Sequence, residues 1–338
     1  MLHSRSLNSK ILLTTPDYPP KLGGLSTFTK NIENSLKNIG LEYDLLVWDP
    51  LQPLKARREL THSYRWGLHI HYQGGVVVSS QCSHNINFLH GSEILFTSPN
   101  ILKRIVKALL KPRAINYLSR SHLNICISEF TLNKVQQRGL KLDYGRDLVF
   151  QNCIELKKSS FVKKDFDTDT LSFICVARDV PHKNMNLAFE LVKSYALNFE
   201  RKIKFFCTKS FEDSGLVECI DISGSDSSYL DELYSKCHFN LLLSRDDSRI
   251  GFYEGFGLTV LEAGCWGTPS IVADSGGLPE AVHHLETGWV YKLGSDFSQL
   301  FNLMNQSDYQ EISRKVFEHT HRSHGCAHYE TLLSRLLL

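Results

Sequence analysis

The segment EGFGLTVLE, Glu254 to Glu262, lies between a polar loop and an apolar run. A Gly-Phe-Gly turn follows its first glutamate, and its second sits inside VLEAGCW, where every neighbour is apolar or glycine. Burying an ionised carboxylate costs several kcal/mol unless something hydrogen-bonds it. A glycine turn that opens a helix presents free backbone N–H groups and the positive end of the helix dipole. Gly255 and Gly257 let the backbone approach a ligand closely. Together these features suit a diphosphate or a sugar hydroxyl. Glu262, about one turn into the helix, is placed to accept two hydrogen bonds from a vicinal diol such as ribose. Glu254 is placed to accept from a second sugar. A helix cap with a paired core glutamate also fits this stretch alone.

Outward from this segment, short apolar runs alternate with helical patterns, as in parallel α/β sheets. Expected strands are KILLTT (10–15), YDLLVW (43–48), LHIHY (68–72), VVVSS (76–80), INFLHG (86–91), NICIS (124–128) and DLVFQN (147–152). Ser26 is read as the cap of a helix with Phe28, Ile32, Leu36 and Ile39 on one stripe, ended by Gly40. A second series follows from LSFICVAR (171–178): a helix over 184–199, strands at 202–208 and 218–223, a helix over 227–237, and strands at 239–244, 269–274 and 287–292. The expected fold is two doubly wound, Rossmann-like α/β domains, with ligands beyond the C-terminal strand ends and the cleft between domains as the default site. The boundaries expected are 1–155, a linker at 156–170 within the polar stretch IELKKSSFVKKDFDTDT, and 171–338. The last helix, about 307–338, is expected to pack back on the N-terminal domain.

The 338 residues carry a net charge of +2, which hides an asymmetry. Residues 1–165 hold 23 Lys and Arg against 12 Asp and Glu, and residues 166–338 hold 15 against 24. The N-terminal half is therefore at +11 and suited to an anionic partner. Its densest part, ILKRIVKALLKPRAINYLSRSH (101–122), lies in a stretch without acids from Glu93 to Glu129. Ile101, Ile105, Ala108 and Leu109 recur at helical spacing beside Lys103, Arg104, Lys107, Lys111 and Arg113. This suits a basic amphipathic helix on a membrane surface, and equally a solvated face of a core-packing helix.

No run approaches the roughly 20 apolar residues that span a bilayer, and the first residues lack a signal-peptide pattern. The nine cysteines are dispersed without a CxxC pair, as in reduced proteins without structural zinc. Neither GxGxxG nor GxxxxGK[ST] occurs. Asp165-Phe-Asp167-Thr-Asp169 resembles a calcium-loop opening but lacks the glycine at the sixth position and the glutamate at the twelfth. His319, His321 and His324 are read as exposed helix residues and not as metal ligands. Arg178, at a strand end in VARDVPHKN, and Lys183 are both suited to neutralise a leaving diphosphate. Gly23 and Gly24 form a second glycine-backed helix start, and His90, at a strand end in FLHGSE, is suited to a substrate hydroxyl or carbonyl.

This set resembles the GT-B glycosyltransferases of family 4, whose hallmark is a Glu-x7-Glu motif, here Glu254 and Glu262. The resemblance extends through Gly276-Gly277, Glu280 and Gly288, the N-terminal GG loop, His90-Gly91-x-Glu93, ISEF (127–130), QNCIE (151–155) and R-x4-K. It implies retaining transfer from a nucleotide-sugar donor, UDP- or GDP-linked, with no metal or other cofactor. It implies Glu262 on the donor ribose, and Glu254 on donor-sugar hydroxyls near the amides of Phe256, Gly257 and Leu258, with Thr259 beside them. It further implies Arg178 and Lys183 on the diphosphate, Gly23 and Gly24 closing over the phosphates, and His90 near the reacting carbon. The base is expected against the segment around Cys219–Ile222, with Ile220 at its centre. Departures are Ala177 where glycine is usual, Gln-Asn-Cys at 151–153 where Pro-Asn-Gly is common, and a longer segment SRDDSRIGFY (244–253). The expected protein is a cytoplasmic glycosyltransferase, peripheral on the inner face of the cytoplasmic membrane. Its partners are a nucleotide sugar, a lipid-linked or glycan acceptor and an anionic membrane surface, not nucleic acid. A nucleotide-sugar epimerase of the same fold and a non-catalytic GT-B-like binding subunit are the rival readings.

Overall fold

The computed structural model describes residues 11–21, 23–50, 52–58, 60, 62–140, 147–157 and 160–338. Two compact units are built from interleaved stretches of chain. The first comprises 1–153, 248–255 and 326–338, and the second 154–247 and 256–325.

In chain order the first unit runs β1 (Ile11–Thr15), α1 (Gly24–Asn38), β2 (Tyr43–Val47), α2 (Pro53–Arg58), β3 (Tyr64–His69), α3 (Tyr72–Val78), β4 (Cys82–Leu89), α4 (Ile101–Arg120), β5 (Leu123–Cys126), α5 (Glu129–Gln137) and β6 (Leu148–Val149). Its strands form a parallel sheet in the order β2-β1-β3-β4-β5-β6. Leu12, Leu13, Leu68, Ile86, Leu89 and Ile125 are fully buried, as expected for strands covered on both faces. Helix α1 buries Phe28, Ile32 and Leu36 on its inner stripe. Its Glu33, also buried, is held by Lys30 at 2.7 Å, Lys37 at 2.9 Å, Tyr18 at 2.7 Å and Tyr43 at 2.6 Å.

The second unit runs β7 (Thr170–Cys175), α6 (Met185–Phe199), β8 (Lys202–Cys207), β9 (Val217–Asp221), α7 (Ser227–Lys236), β10 (Phe239–Leu242), α8 (Leu258–Gly264), β11 (Ser270–Ala273), α9 (Leu278–Ala281), β12 (Gly288–Tyr291), α10 (Phe297–Gln306) and α11 (Tyr309–Ser323). Its parallel sheet has the order β12-β11-β10-β7-β8-β9. An aromatic core of Phe173, Tyr195, Phe239 and Trp289 packs beneath it. The fold is thus two Rossmann-like α/β halves with parallel six-stranded sheets. The final helix α12 (Ala327–Leu337) belongs to the first unit. Tyr329 there packs on Phe28 at 5.6 Å, its hydroxyl accepts from the Cys153 N–H at 3.0 Å, and Glu330 accepts from Asn38 at 2.7 Å.

Several local expectations are corrected. VVVSS is not a strand: Val76–Val78 end α3, and Ser79–Gln81 form a 3-10 turn. The His71 side chain caps α3, accepting from the Gln73 N–H at 3.3 Å. LHIHY yields only the end of β3, because the chain turns at Ile70 into α3. DLVFQN shortens to the two residues of β6. Helix α1 is capped by Gly23, and Ser26 is buried inside its first turn. The C-terminal segment is two helices, not one, separated by His324–Cys326. His324 is buried and not exposed, its ring 5.2 Å from that of His319.

Candidate active site

In the second unit, β7 ends at Cys175 and the chain passes through Ala177 and Arg178 into a 3-10 turn, Pro181–Lys183. The Ala177 N–H donates to Thr208 Oγ1 at 2.9 Å, which ties the exit of β7 to that of β8. Asn184 takes a left-handed conformation, φ +55°, and starts α6. The Arg245 N–H donates to the His182 carbonyl at 2.8 Å, joining this turn to the exit of β10. Arg178 is exposed and Lys183 half-buried. Both cations therefore sit at the C-terminal end of the sheet, the ligand-binding end of open α/β sheets.

Helix α8 starts from Gly257, which has φ +98°. A Cβ there would stand 2.8 Å from Leu278 Cδ2 and 3.1 Å from Leu242 Cδ2, so both backbone angle and packing require glycine. Phe256 is fully buried, and Leu258 and Thr259 open the helix with amides that precede the first intrahelical bond. The buried Thr259 Oγ1 has no hydrogen-bond partner among the described residues.

Glu262 follows one turn later. The Tyr234 hydroxyl of α7 donates to its Oε2 at 3.3 Å. Burial pushes Glu262 up to about 7, with Tyr234 and the more distant Lys157 opposing the rise and Asp231 adding to it. Asp231, one turn before Tyr234, is itself raised by burial, although Lys157 and the Trp266 indole pull it down. Lys157 Nζ lies 3.9 Å from Asp231 Oδ2, and the Lys157 N–H meets Cys265 Sγ at 3.3 Å. A tyrosine thus meets this carboxylate at a long distance that leaves acceptor capacity over for the expected diol. Tyr234 and Asp231 were not singled out in the sequence; their only signal is an i, i+3 pair on one helix. Ile220, in the edge strand β9, is partly buried among Ile222, Leu233 and Tyr234.

The first glutamate of the motif lies in the other unit. Residues 248–255 leave the second-unit sequence and pack on the ends of β4 and β5. Lys134 Nζ donates to Ser248 Oγ at 3.0 Å, and the Phe130 and Tyr253 rings meet edge-on at 5.1 Å. Tyr253 lies so close to Gly91 that a Cβ there would fall 2.5 Å from its ring. Gly255 lies against the His90 carbonyl. Glu254, half-buried, is therefore brought beside His90. The His90 N–H donates to Glu93 Oε1 at 2.6 Å, and its ring stands edge-on to Phe28 of α1 at 4.4 Å. Burial pulls His90 down to about 4, so the imidazole is neutral at pH 7. Its Nε2 is buried without a partner among the described residues. Gly23, φ +152°, caps α1 with nothing among the described residues within 4 Å of its Cβ direction, and Gly24 is the first helical residue. Lys103, Arg104, Lys107, Lys111 and Arg113 all lie on α4.

Among the described residues, no group of three or more His, Cys, Asp or Glu side chains has the geometry to hold a metal ion. Among them also, no helix is long and apolar enough to cross a membrane.

Residues 157–317 match the family described as Glycosyl transferases group 1. No curated protein sequence matches the chain. Among solved structures, Anabaena HepE in complex with UDP and glucose superposes with a TM-score of 0.69 at 15% identity, covering 98% of this chain and 99% of that one. Sucrose-phosphate synthase from Thermosynechococcus elongatus gives 0.71 at 14% identity, over 97% and 98%. A glycosyltransferase from Rickettsia africae gives 0.67 at 11% identity, over 98% of each chain. The chain thus has the two-domain GT-B fold of these structures, and its residues 157–317 are similar to the group 1 glycosyl transferases.

Proposed function

We propose that this protein transfers a sugar, with retention of configuration and without a metal ion, from a UDP- or GDP-linked donor to a lipid-linked or glycan acceptor. The setting proposed is assembly of a bacterial surface polysaccharide (O-antigen, capsule or lipopolysaccharide) at the inner face of the cytoplasmic membrane. The observation that carries the donor part is Glu262: a desolvated carboxyl, one turn into a glycine-capped helix, inside the segment that matches the group 1 enzymes. A ribose diol supplies two further donors to a carboxylate that Tyr234 alone leaves under-used. HepE was solved with UDP and glucose and also with UDP-glucose, which supports a nucleotide-linked hexose.

In this reading, negative charge develops on the departing diphosphate, and Arg178, Lys183 and the first-turn amides of α8 stabilise it. Positive charge develops at the sugar carbon. The acceptor hydroxyl attacks from the face that the diphosphate leaves, and the diphosphate takes the proton. Glu254 holds donor-sugar hydroxyls. Neutral His90 uses its unpartnered Nε2 at the same sugar, and Gly23 and Gly24 lie over the phosphates. Ile220 lies against the base. The basic first unit serves an anionic, lipid-borne acceptor.

A thermal-shift screen of UDP, GDP, ADP and their sugars tests the donor, because a ligand that binds only the folded state raises Tm in step with its affinity. Glu262→Ala is expected to abolish the shift. Glu254→Ala is expected to keep the nucleoside diphosphate shift and lose turnover. Retention of full turnover by Glu254→Ala would remove its assigned role, and product analysis with labelled donor separates transfer from epimerisation.

A further inference from the structure

Helix α4 is amphipathic the wrong way round for a helix on a core. At about 100° per residue, Ile101, Leu102, Ile105, Val106, Leu109 and Leu110 sweep one half of its first three turns. Lys103, Arg104, Lys107 and Lys111 occupy the other half. A helix on a globular surface turns its apolar half inward. Here the six apolar side chains are 49–75% exposed. On the basic half, Lys107 and Lys111 are half-buried, with Lys107 Nζ donating to the Thr97 carbonyl at 3.0 Å, while Lys103 and Arg104 are exposed. The helix is nevertheless firmly started, because Asn100 caps it and accepts from the Lys103 N–H at 3.0 Å. Its second half is anchored through buried Ala114 and Leu118. A contiguous exposed apolar surface of this kind marks an interaction site.

We propose that the first three turns of α4 lie in the interface of an anionic bilayer. The apolar half sits at the headgroup–acyl boundary, and Lys103 and Arg104, which flank it on either side, reach lipid phosphates. Charge decides for lipid over a second copy of this chain. The helix carries six Lys and Arg and no acid, so a two-fold contact would set the same basic flanks against themselves. This deepens the membrane-side part of the function proposed above and rests on that reading only for what the surface would deliver.

Co-sedimentation with vesicles of phosphatidylcholine and phosphatidylglycerol tests it, against pure phosphatidylcholine. The wild-type chain is compared with Leu102→Gln/Leu109→Gln and Lys103→Gln/Arg104→Gln. All four positions are exposed, so the variants keep the fold, which an unchanged Tm confirms. Wild type is expected to pellet with anionic vesicles and to stay partly bound at about 0.5 M salt, where purely electrostatic attraction is screened. The leucine pair is expected to lose binding by about tenfold or more at all salt concentrations. The basic pair should lose it only for anionic vesicles. Failure of wild type to pellet, or undiminished binding by the leucine pair, overturns the proposal. So does a wild-type dimer in sedimentation velocity that the leucine pair dissolves. UDP and GDP titrations on the same samples keep the two readings apart: vesicle binding without nucleotide binding defeats the transferase reading alone, and the reverse defeats only this one.

Discussion

Gly255 rests directly on the main chain of His90: a Cβ on Gly255 would stand 2.2 Å from the His90 carbonyl oxygen and 2.9 Å from Ile127 Cδ1. The backbone after Glu254 is thereby keyed to the strand end that carries the histidine. Gly255→Ala must push the two apart, and the clash is with backbone, which yields poorly. Overpacking of this kind costs about 1–3 kcal/mol. The variant is expected to lower Tm and to cut turnover at least about tenfold, the effect of a catalytic group misplaced by an ångström or less. Calorimetric affinity for the free nucleoside diphosphate should stay within about twofold, because Glu262, Arg178 and Lys183 belong to the other unit. An equal loss in both quantities would contradict the division of roles.

Glu262 makes stability and donor affinity run in opposite directions with pH. Its ordinary value of 4.5 is raised to about 7 by burial. Between these values the folded chain holds a proton that the unfolded chain has lost, so this group makes stability fall as pH rises from about 4.5 to 7. The side chain is partly exposed, so the amplitude is about 1–3 kcal/mol. Glu262→Gln should flatten that slope and raise Tm above pH 7 in the unliganded protein. Ribose binding needs the ionised form, so wild-type affinity for the nucleoside diphosphate should rise as pH passes through 7. The glutamine variant should bind weakly at every pH. Calorimetric Tm and Kd from pH 5 to 8 check both trends.

Glu33 has the opposite sign. Burial alone would raise it, but hydrogen bonds from Lys30, Tyr43, Lys37 and Tyr18 outweigh burial and hold it at about 2. Its contribution is complete above about 4.5 and is lost as pH falls through about 2. Glu33→Gln is expected to cost about 2 kcal/mol at pH 6, measured by urea unfolding. The difference from wild type should shrink steadily below pH 4.5.

How much of this was legible varied with the range of the contacts. The spacing of Gly257 and Glu262 announced a glycine-started helix with a carboxyl one turn in, because turn geometry and helical pitch are local. VVVSS misled for the same local reason: a short β-branched run does not separate strand from helix. What decides it lies elsewhere, in Gly74 and Gly75, which pack against Thr14 and Tyr117 so closely that no Cβ fits. The excursion of residues 248–255 into the first unit had no local signature either. It depends on Tyr253 meeting Gly91 and Gly251 meeting the Thr97 carbonyl, positions more than 150 residues apart. The partners of Glu262 were hidden likewise, since Tyr234 reads in sequence as an ordinary core aromatic.

Lys164 falls in the polar stretch 154–170, yet it is buried, and it ties α7 to the turn before β11. Its Nζ donates to the carbonyls of Tyr234 at 3.0 Å and Cys237 at 2.9 Å, and to Thr268 Oγ1. These carbonyls belong to the C-terminal end of α7, where a cation also complements the helix dipole. Lys164→Met keeps most of the side-chain volume and removes every donor. It leaves two buried carbonyls without their ammonium partner, at about 1–3 kcal/mol each. The Thr268 hydroxyl still donates to the Tyr234 carbonyl, so the expected loss is about 1–3 kcal/mol, seen as a lower urea midpoint with an unchanged slope. Release of this end of α7 also frees Tyr234, whose hydroxyl meets Glu262. Nucleoside diphosphate affinity should fall severalfold in the folded variant, and the rise of affinity with pH should shift its midpoint upward, because Tyr234 favours the ionised carboxylate. Loss of stability with an unshifted midpoint would confine Lys164 to holding the fold.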